Sequence, residues 1–163
     1  MKRVIRHLVL LAIIATYGNT FEQNGVKDGN TRVSASLYSN QNRDEYDTIN
    51  FNAQSGYFAT NKIEVLIGID TITQQDNTYF TLSPGVNYYF YNTPIVTSYI
   101  GTKYYYWNTT NEYIKEKYGM TFYVGTHIFF SENIAVTPEF GSIYLDFDNN
   151  KGTYFNTFLS YFF

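Results

Sequence analysis

From residue 31 to the C-terminus the chain alternates apolar with polar or small residues at a period of two. In a strand, successive side chains point to opposite faces, so this pattern dictates sheet. No stretch after residue 18 sustains the i, i+3, i+4 spacing of an amphipathic helix. The pattern predicts eight strands, over residues 31–41, 46–58, 62–73, 77–90, 94–107, 115–130, 133–145 and 153–163. They are long, about 11 to 16 residues each, where soluble strands most often have about 5–6. In the third, Ile63, Val65, Ile67 and Ile69 share one face, opposite Glu64, Leu66, Gly68 and Asp70. In the sixth, Met120, Phe122, Val124 and Ile128 oppose Gly119, Thr121, Tyr123, Gly125 and His127. The second and fifth strands alternate less cleanly, and a one-residue slip there would invert a whole strand.

A soluble sandwich also alternates, but three features point elsewhere. The strands are too long for a small sandwich. Their number is even. Their connections come in two alternating classes: tight turns at Thr60-Asn61, Asn92-Thr93 and Ser131-Glu132-Asn133, and polar loops at 41–45, 74–76, 108–111 and 146–152. Tight turns at one rim and polar loops at the other are the layout of a transmembrane barrel. The predicted fold is all-β, an eight-stranded antiparallel up-and-down transmembrane β-barrel over residues 31–163. Closure is required because hydrocarbon offers no partner to a bare backbone N–H or C=O. Aromatic residues make up 20% of the chain, and they cluster at the strand ends. Tyr57, Phe58, Phe90, Tyr91, Phe129, Phe130, Phe162 and Phe163 lie at the turn end; Tyr38, Tyr46, Tyr79, Phe80, Tyr104, Tyr105, Tyr106, Trp107, Tyr118, Tyr144, Tyr154 and Phe155 lie at the loop end. Both sets are expected to form interfacial girdles. The mean hydropathy of −0.29 fits, because only every second strand residue meets lipid.

The N-terminus reads as an address. Lys2, Arg3 and Arg6 precede the apolar run Leu8 to Ala15, too short to span a bilayer as a helix but suited to a secretory signal peptide. Residues 1–18 are assigned to it, and the polar residues 19–30 to a flexible leader. The absence of Cys removes disulfides, thiolate metal sites and Cys nucleophiles. A net charge of −3 offers nothing to hold nucleic acid.

The final segment, Phe155 to Phe163, resembles the terminal signature of bacterial outer-membrane barrels: an aromatic last residue with apolar residues at alternate positions before it. Phe155, Leu159, Tyr161 and Phe163 match, and Thr157 matches less well. The segment from Tyr118 to Phe140 is similar to the sixth-to-seventh strand hairpin of the small OmpA-like and OmpX-like barrels. The resemblance implies residence in the bacterial outer membrane, with outer-membrane lipid and the barrel-assembly machinery as partners; the chain is expected to be a monomer. It does not extend to a periplasmic peptidoglycan-binding domain.

Parity places Arg32, Thr48, Asn50, Asn52, Gln54, Glu64, Asp70, Asn87, Lys103, Lys117, His127, Glu139 and Asn156 in the lumen. Arg32, Glu64 and His127 are expected near the turn end, with Asp70, Lys103 and Glu139 nearer the middle or the loop end. A lone charge in a narrow, low-dielectric barrel is costly, so ion pairs and amides are expected to plug the interior. The sequence implies no catalytic residue, cofactor or metal. His127 with Glu64 or Glu139 reads more simply as a buried structural histidine than as a catalytic pair. Lipid A deacylases carry a His and a Ser near the chain end, and neither occurs in Tyr144 to Asn150. Asp146, Asp148 and Asn150 have cation-loop spacing but lack the other ligands of a calcium loop. The expected role is structural or surface-interactive and non-enzymatic. The alternatives are a small-solute pore and a lipocalin-like soluble barrel that binds a hydrophobic ligand in an apolar interior.

Overall fold

The computed structural model describes residues 24–40, 48–74, 77–108, 118–145 and 150–163; the polar connections between paired strands lie outside them. Eight strands follow in order: β1 (Thr31–Asn40), β2 (Thr48–Thr60), β3 (Ile63–Gln74), β4 (Asn77–Asn92), β5 (Val96–Asn108), β6 (Tyr118–Phe129), β7 (Ile134–Leu145) and β8 (Asn150–Phe162). Each pairs antiparallel with its sequence neighbour, and β1 meets β8 to close a barrel. At about 3.3 Å per residue and a tilt near 40°, a strand of 12 to 13 residues climbs about 30 Å, enough to cross hydrocarbon.

The parity holds in every strand, the second and fifth included. Val65, Ile67 and Ile69 are exposed on the outside, while Glu64 is fully buried inside. Phe122, Val124, Phe140, Phe155, Leu159, Tyr161 and Phe163 also face outward. The polar interior and apolar exterior invert the arrangement of a soluble protein.

Side chains set the three tight turns. Thr60 Oγ1 accepts from the N–H groups of Lys62 and Ile63. Thr93 Oγ1 donates to the Val96 carbonyl and accepts from the Val96 N–H. Ser131 Oγ accepts from Ile134 N–H. The register shifts between Phe58 and Thr60 and again between Tyr89 and Tyr91. Both irregularities sit at the turn rim, where barrels often carry bulges.

One expectation about the girdles is corrected. Phe58, Phe129 and Phe162 are fully buried and point inward, while their neighbours Tyr57 and Phe163 face outward. Ring centroids lie 5.0 Å apart for Phe129 and Phe162 and 6.1 Å apart for Phe58 and Phe162. The reason is parity: of two consecutive aromatics in a strand, only one can meet lipid.

The sequence reading makes residues 19–30 a flexible leader. Asn24 to Asn30 instead pack under the barrel. Val26 is buried against the phenylalanine cluster. Asn24 Nδ2 donates to Asn92 Oδ1, Thr97 Oγ1 and the Thr93 carbonyl. Asn30 O accepts from Phe58 N–H, and Gly29 N–H donates to the Phe58 carbonyl. Gly29 has a φ of 83°, a left-handed conformation that suits glycine. The turn end of the barrel is therefore corked. Residues 1–23, including the segment expected to be a signal peptide, lie outside the described residues.

Candidate functional site

The lumen contains two charged centres at different heights, joined by an asparagine. In the lower one Arg32, on the first turn-end step of β1, meets Glu64 on β3, with Nε and Oε1 2.7 Å apart. Arg32 also donates to Ser34 Oγ at 2.6 Å and Gln54 Oε1 at 3.5 Å. The second oxygen of Glu64 accepts from Asn87 Nδ2 and Tyr89 Oη, both at 2.7 Å. Tyr89 Oη lies 3.0 Å from His127 Nε2. His127 Nδ1 lies 2.7 Å from Thr137 Oγ1, which contacts Ser160 Oγ at 2.8 Å; Ser160 contacts Ser34 Oγ at 2.8 Å. The chain of contacts thus returns to Arg32, a closed belt with members on β1, β3, β4, β6, β7 and β8.

The upper centre is built on Glu139. Lys103 Nζ donates to its Oε1 at 3.1 Å, Tyr154 Oη to the same oxygen at 2.8 Å, and Tyr99 Oη to Oε2 at 3.2 Å. The Lys103 ammonium also lies 4.4 Å from the centre of the Tyr123 ring, within cation–π range. Tyr123 Oη donates to Asn87 Oδ1 at 2.7 Å, so Asn87 links the two centres.

Of the residues expected in the lumen, the fold brings Arg32 to Glu64 and Lys103 to Glu139. Those are the ion pairs among the described residues. His127 bonds neither glutamate, because Tyr89 stands between it and Glu64. Asp70 is left with one long contact, from Ser83 Oγ at 3.4 Å. Lys117, and the acidic loop with Asp146 and Asp148, lie outside the described residues.

Sequence reasoning missed the phenols of Tyr89, Tyr99 and Tyr123 as hydrogen-bond donors to buried acceptors, and it set Tyr154 in the loop-end girdle, whereas parity turns Tyr154 inward to Glu139. A signal for them exists. Gly125 stands opposite Tyr99 and Gly101 opposite Tyr123 in the β5–β6 register. A Cβ on Gly125 would fall on the Tyr99 ring, and one on Gly101 on the Tyr123 ring and the Asn87 amide. Inward glycines mark where a cross-strand phenol leans into the barrel.

The arrangement suits structure better than chemistry. Both oxygens of Glu64 are occupied by donors, His127 and Glu64 are 0% exposed, and the phenylalanine cork closes the route from below. A reacting atom has no approach to the lower centre. Above Glu139 a cavity of about 160 Å³ remains, lined by Asn50, Asn52, Asp70, Thr81, Lys103 and Tyr154 among others.

A de novo designed transmembrane β-barrel aligns over 88% of this chain and all of its own, at 17% identity and a TM-score of 0.61. The N-terminal β-barrel domain of Pseudomonas aeruginosa OprF aligns over 83% of this chain and 98% of its own, at 14% identity and a TM-score of 0.62. The Yersinia pestis outer membrane protein Ail, solved in a phospholipid bilayer nanodisc, aligns over 83% and 100%, at 12% identity and a TM-score of 0.56. The fold is that of the eight-stranded transmembrane barrels. At these identities the likeness is one of architecture. No family model matches the sequence, and no curated protein matches it.

Proposed function

We propose that this chain is a non-enzymatic protein of the bacterial outer membrane, with a structural or surface-interaction role. The observation that carries the reading is the inverted polarity of the barrel. A largely apolar exterior suits hydrocarbon, while inside it Arg32 with Glu64 and Lys103 with Glu139 are buried as ion pairs. On this reading residues 1–18 are a signal peptide. Outer-membrane lipid surrounds the barrel, and the outward Phe155, Leu159, Tyr161 and Phe163 are read by the barrel-assembly machinery.

The test is expression in a Gram-negative host followed by membrane fractionation and reconstitution of the purified barrel into planar bilayers. The expected result is sedimentation with the outer membrane, insolubility of the mature chain without detergent, and no reproducible conductance. A monomer stable in plain buffer would favour the soluble binding barrel instead. Reproducible conductance altered by substitution of Lys103 or Glu139 would favour the small-solute pore.

A further inference from the structure

The barrel is closed unevenly. Seven of its eight strand pairs run along most of their length. The seam between β1 and β8 runs only from Arg32 opposite Phe162 to Ala35 opposite Leu159. Continued register would set Ser36 against Phe158 and Leu37 against Thr157, but those pairings are absent among the described residues. The Thr157 N–H donates to Asn156 Oδ1, the side chain of the preceding residue. Above Ala35, therefore, the ladder is unzipped and Asn156 caps an edge donor. Unpaired backbone is unfavourable in hydrocarbon unless it lines a polar cavity. The 160 Å³ cavity supplies one, since Asn156 and Phe155 of β8 form part of its wall.

The cavity has an excess of acceptors. Asn52 and Asp70, register neighbours on β2 and β3, both line it, and Ser36 of β1 stands opposite Asn52. Ser36 Oγ and Asn52 Oδ1 are buried without a hydrogen-bond partner. Asp70 has only its long contact with Ser83. Among the charges lining the cavity, Lys103 is matched by Glu139, and Asp70 is left over. An unmet amide oxygen beside an excess of one negative charge fits a compact cation that carries several N–H donors. A primary ammonium has three. At the gap in the seam, Leu37 is 72% exposed and Phe155 56% exposed, both apolar and facing outward.

We propose that this half of the barrel binds a primary-ammonium amphiphile. The head lies in the cavity on Asp70 and Asn52, and the alkyl tail leaves sideways past Phe155, through the unzipped seam, into the membrane. The site rests on the membrane reading above.

The experiment uses the full mature chain in phosphatidylcholine nanodiscs, titrated with dodecylammonium, methylammonium or dodecyl sulfate, with backbone amide NMR signals as the readout. Dodecylammonium should give saturable shifts at Asn52, Asp70 and Thr157. Asp70→Asn should weaken its binding about tenfold or more, the value of one charge-assisted contact. Methylammonium should bind far more weakly, and dodecyl sulfate should leave those signals unmoved. Equal binding by Asp70→Asn, or equal binding of methylammonium, overturns the proposal. Resistance of the unheated barrel to sodium dodecyl sulfate shows that each variant is folded.

The seam has its own test. Leu37→Cys with Thr157→Cys should resist oxidation to a disulfide, while Val33→Cys with Tyr161→Cys, paired in the zipped part, should cross-link. Ready cross-linking of the first pair overturns the open seam. Failure of the membrane reading would appear instead as a chain soluble without nanodisc or detergent.

Discussion

His127 Nε2 lies 3.0 Å from the Tyr89 hydroxyl oxygen, and that one contact fixes the direction of every proton in the lower belt. Tyr89 gives its own proton to Glu64, so His127 must donate at Nε2. Nδ1 is then an acceptor and takes the Thr137 proton. Thr137 accepts from Ser160, Ser160 from Ser34, and Ser34 from Arg32. The belt runs one way round, from guanidinium to carboxylate, and its members polarise one another.

The first prediction follows from that order. Nitrogen-15 NMR of the folded barrel should show His127 as the neutral, Nε2-protonated tautomer. His127→Ala removes both neighbours' partner and leaves a cavity, and each orphaned polar group costs about 1–3 kcal/mol. The expected destabilisation is about 3 kcal/mol, measured by urea unfolding in detergent micelles. A signal from the opposite tautomer would contradict the proton order.

Glu64 neutralises Arg32 where neither is exposed. Glu64→Gln keeps the shape but strands a buried guanidinium, which costs about 3–5 kcal/mol. Adding Arg32→Met to that background should recover a large part of the loss, because a fully apolar replacement leaves no charge behind. The check is a double-mutant cycle in the same unfolding assay; additive losses would show that the pair is not coupled.

Gly125 is needed for what stands opposite it. A Cβ there overlaps the Tyr99 ring, whose hydroxyl serves Glu139. Gly125→Ala should destabilise by about 1–3 kcal/mol through overpacking. Gly125→Ala with Tyr99→Leu should lose less than the sum of the two single changes, because the smaller side chain relieves the overlap while the Glu139 hydrogen bond is lost only once. Strict additivity of the urea-unfolding losses would contradict the overlap.

These positions also mark how far the sequence could be read. Alternation in β3, β4 and β8 shows which face meets lipid, because a strand's period leaves only two choices. It therefore also places Glu64 of β3 inside, and the same parity in β5, β6 and β7 places Lys103, His127 and Glu139 there. Which charge meets which is harder to read, since partners such as Arg32 and Glu64 are not adjacent strand by strand but reach across the lumen. The cork was hidden for different reasons. Phe129-Phe130 and Phe162-Phe163 look like rim pairs by composition, and only strict parity turns Phe129 and Phe162 inward. Val26 sits alone among polar residues, so no period announces it.

The cork yields a fourth prediction. Asn24 Nδ2 serves three acceptors on the β4–β5 turn, and Val26 seals against Phe58, Phe129 and Phe162. Val26→Asp places an unpaired charge on that aromatic cluster and should release the segment. Amides of residues 25–30 should then exchange hydrogen faster, with the strands themselves still protected. Unchanged exchange would mean the segment is held by the Asn24 contacts and its backbone bonds to Phe58, without need of Val26.

The last prediction concerns depth. Val65, Ile67 and Ile69 form an exposed apolar row on β3, with Ile67 opposite Ser55 and Pro84 on the flanking strands. Asn61 lies in the turn at the rim, in contact with water. In a bilayer an arginine at Ile67 must be desolvated or drag water inward, at a cost of about 2–4 kcal/mol; at Asn61 the cost falls to about 0–1 kcal/mol. In a water-soluble barrel both are surface changes within about 0.5 kcal/mol of neutral. Reversible unfolding from phospholipid vesicles should therefore separate Ile67→Arg from Asn61→Arg by at least about 1 kcal/mol, a gap that only a hydrocarbon surround around β3 produces.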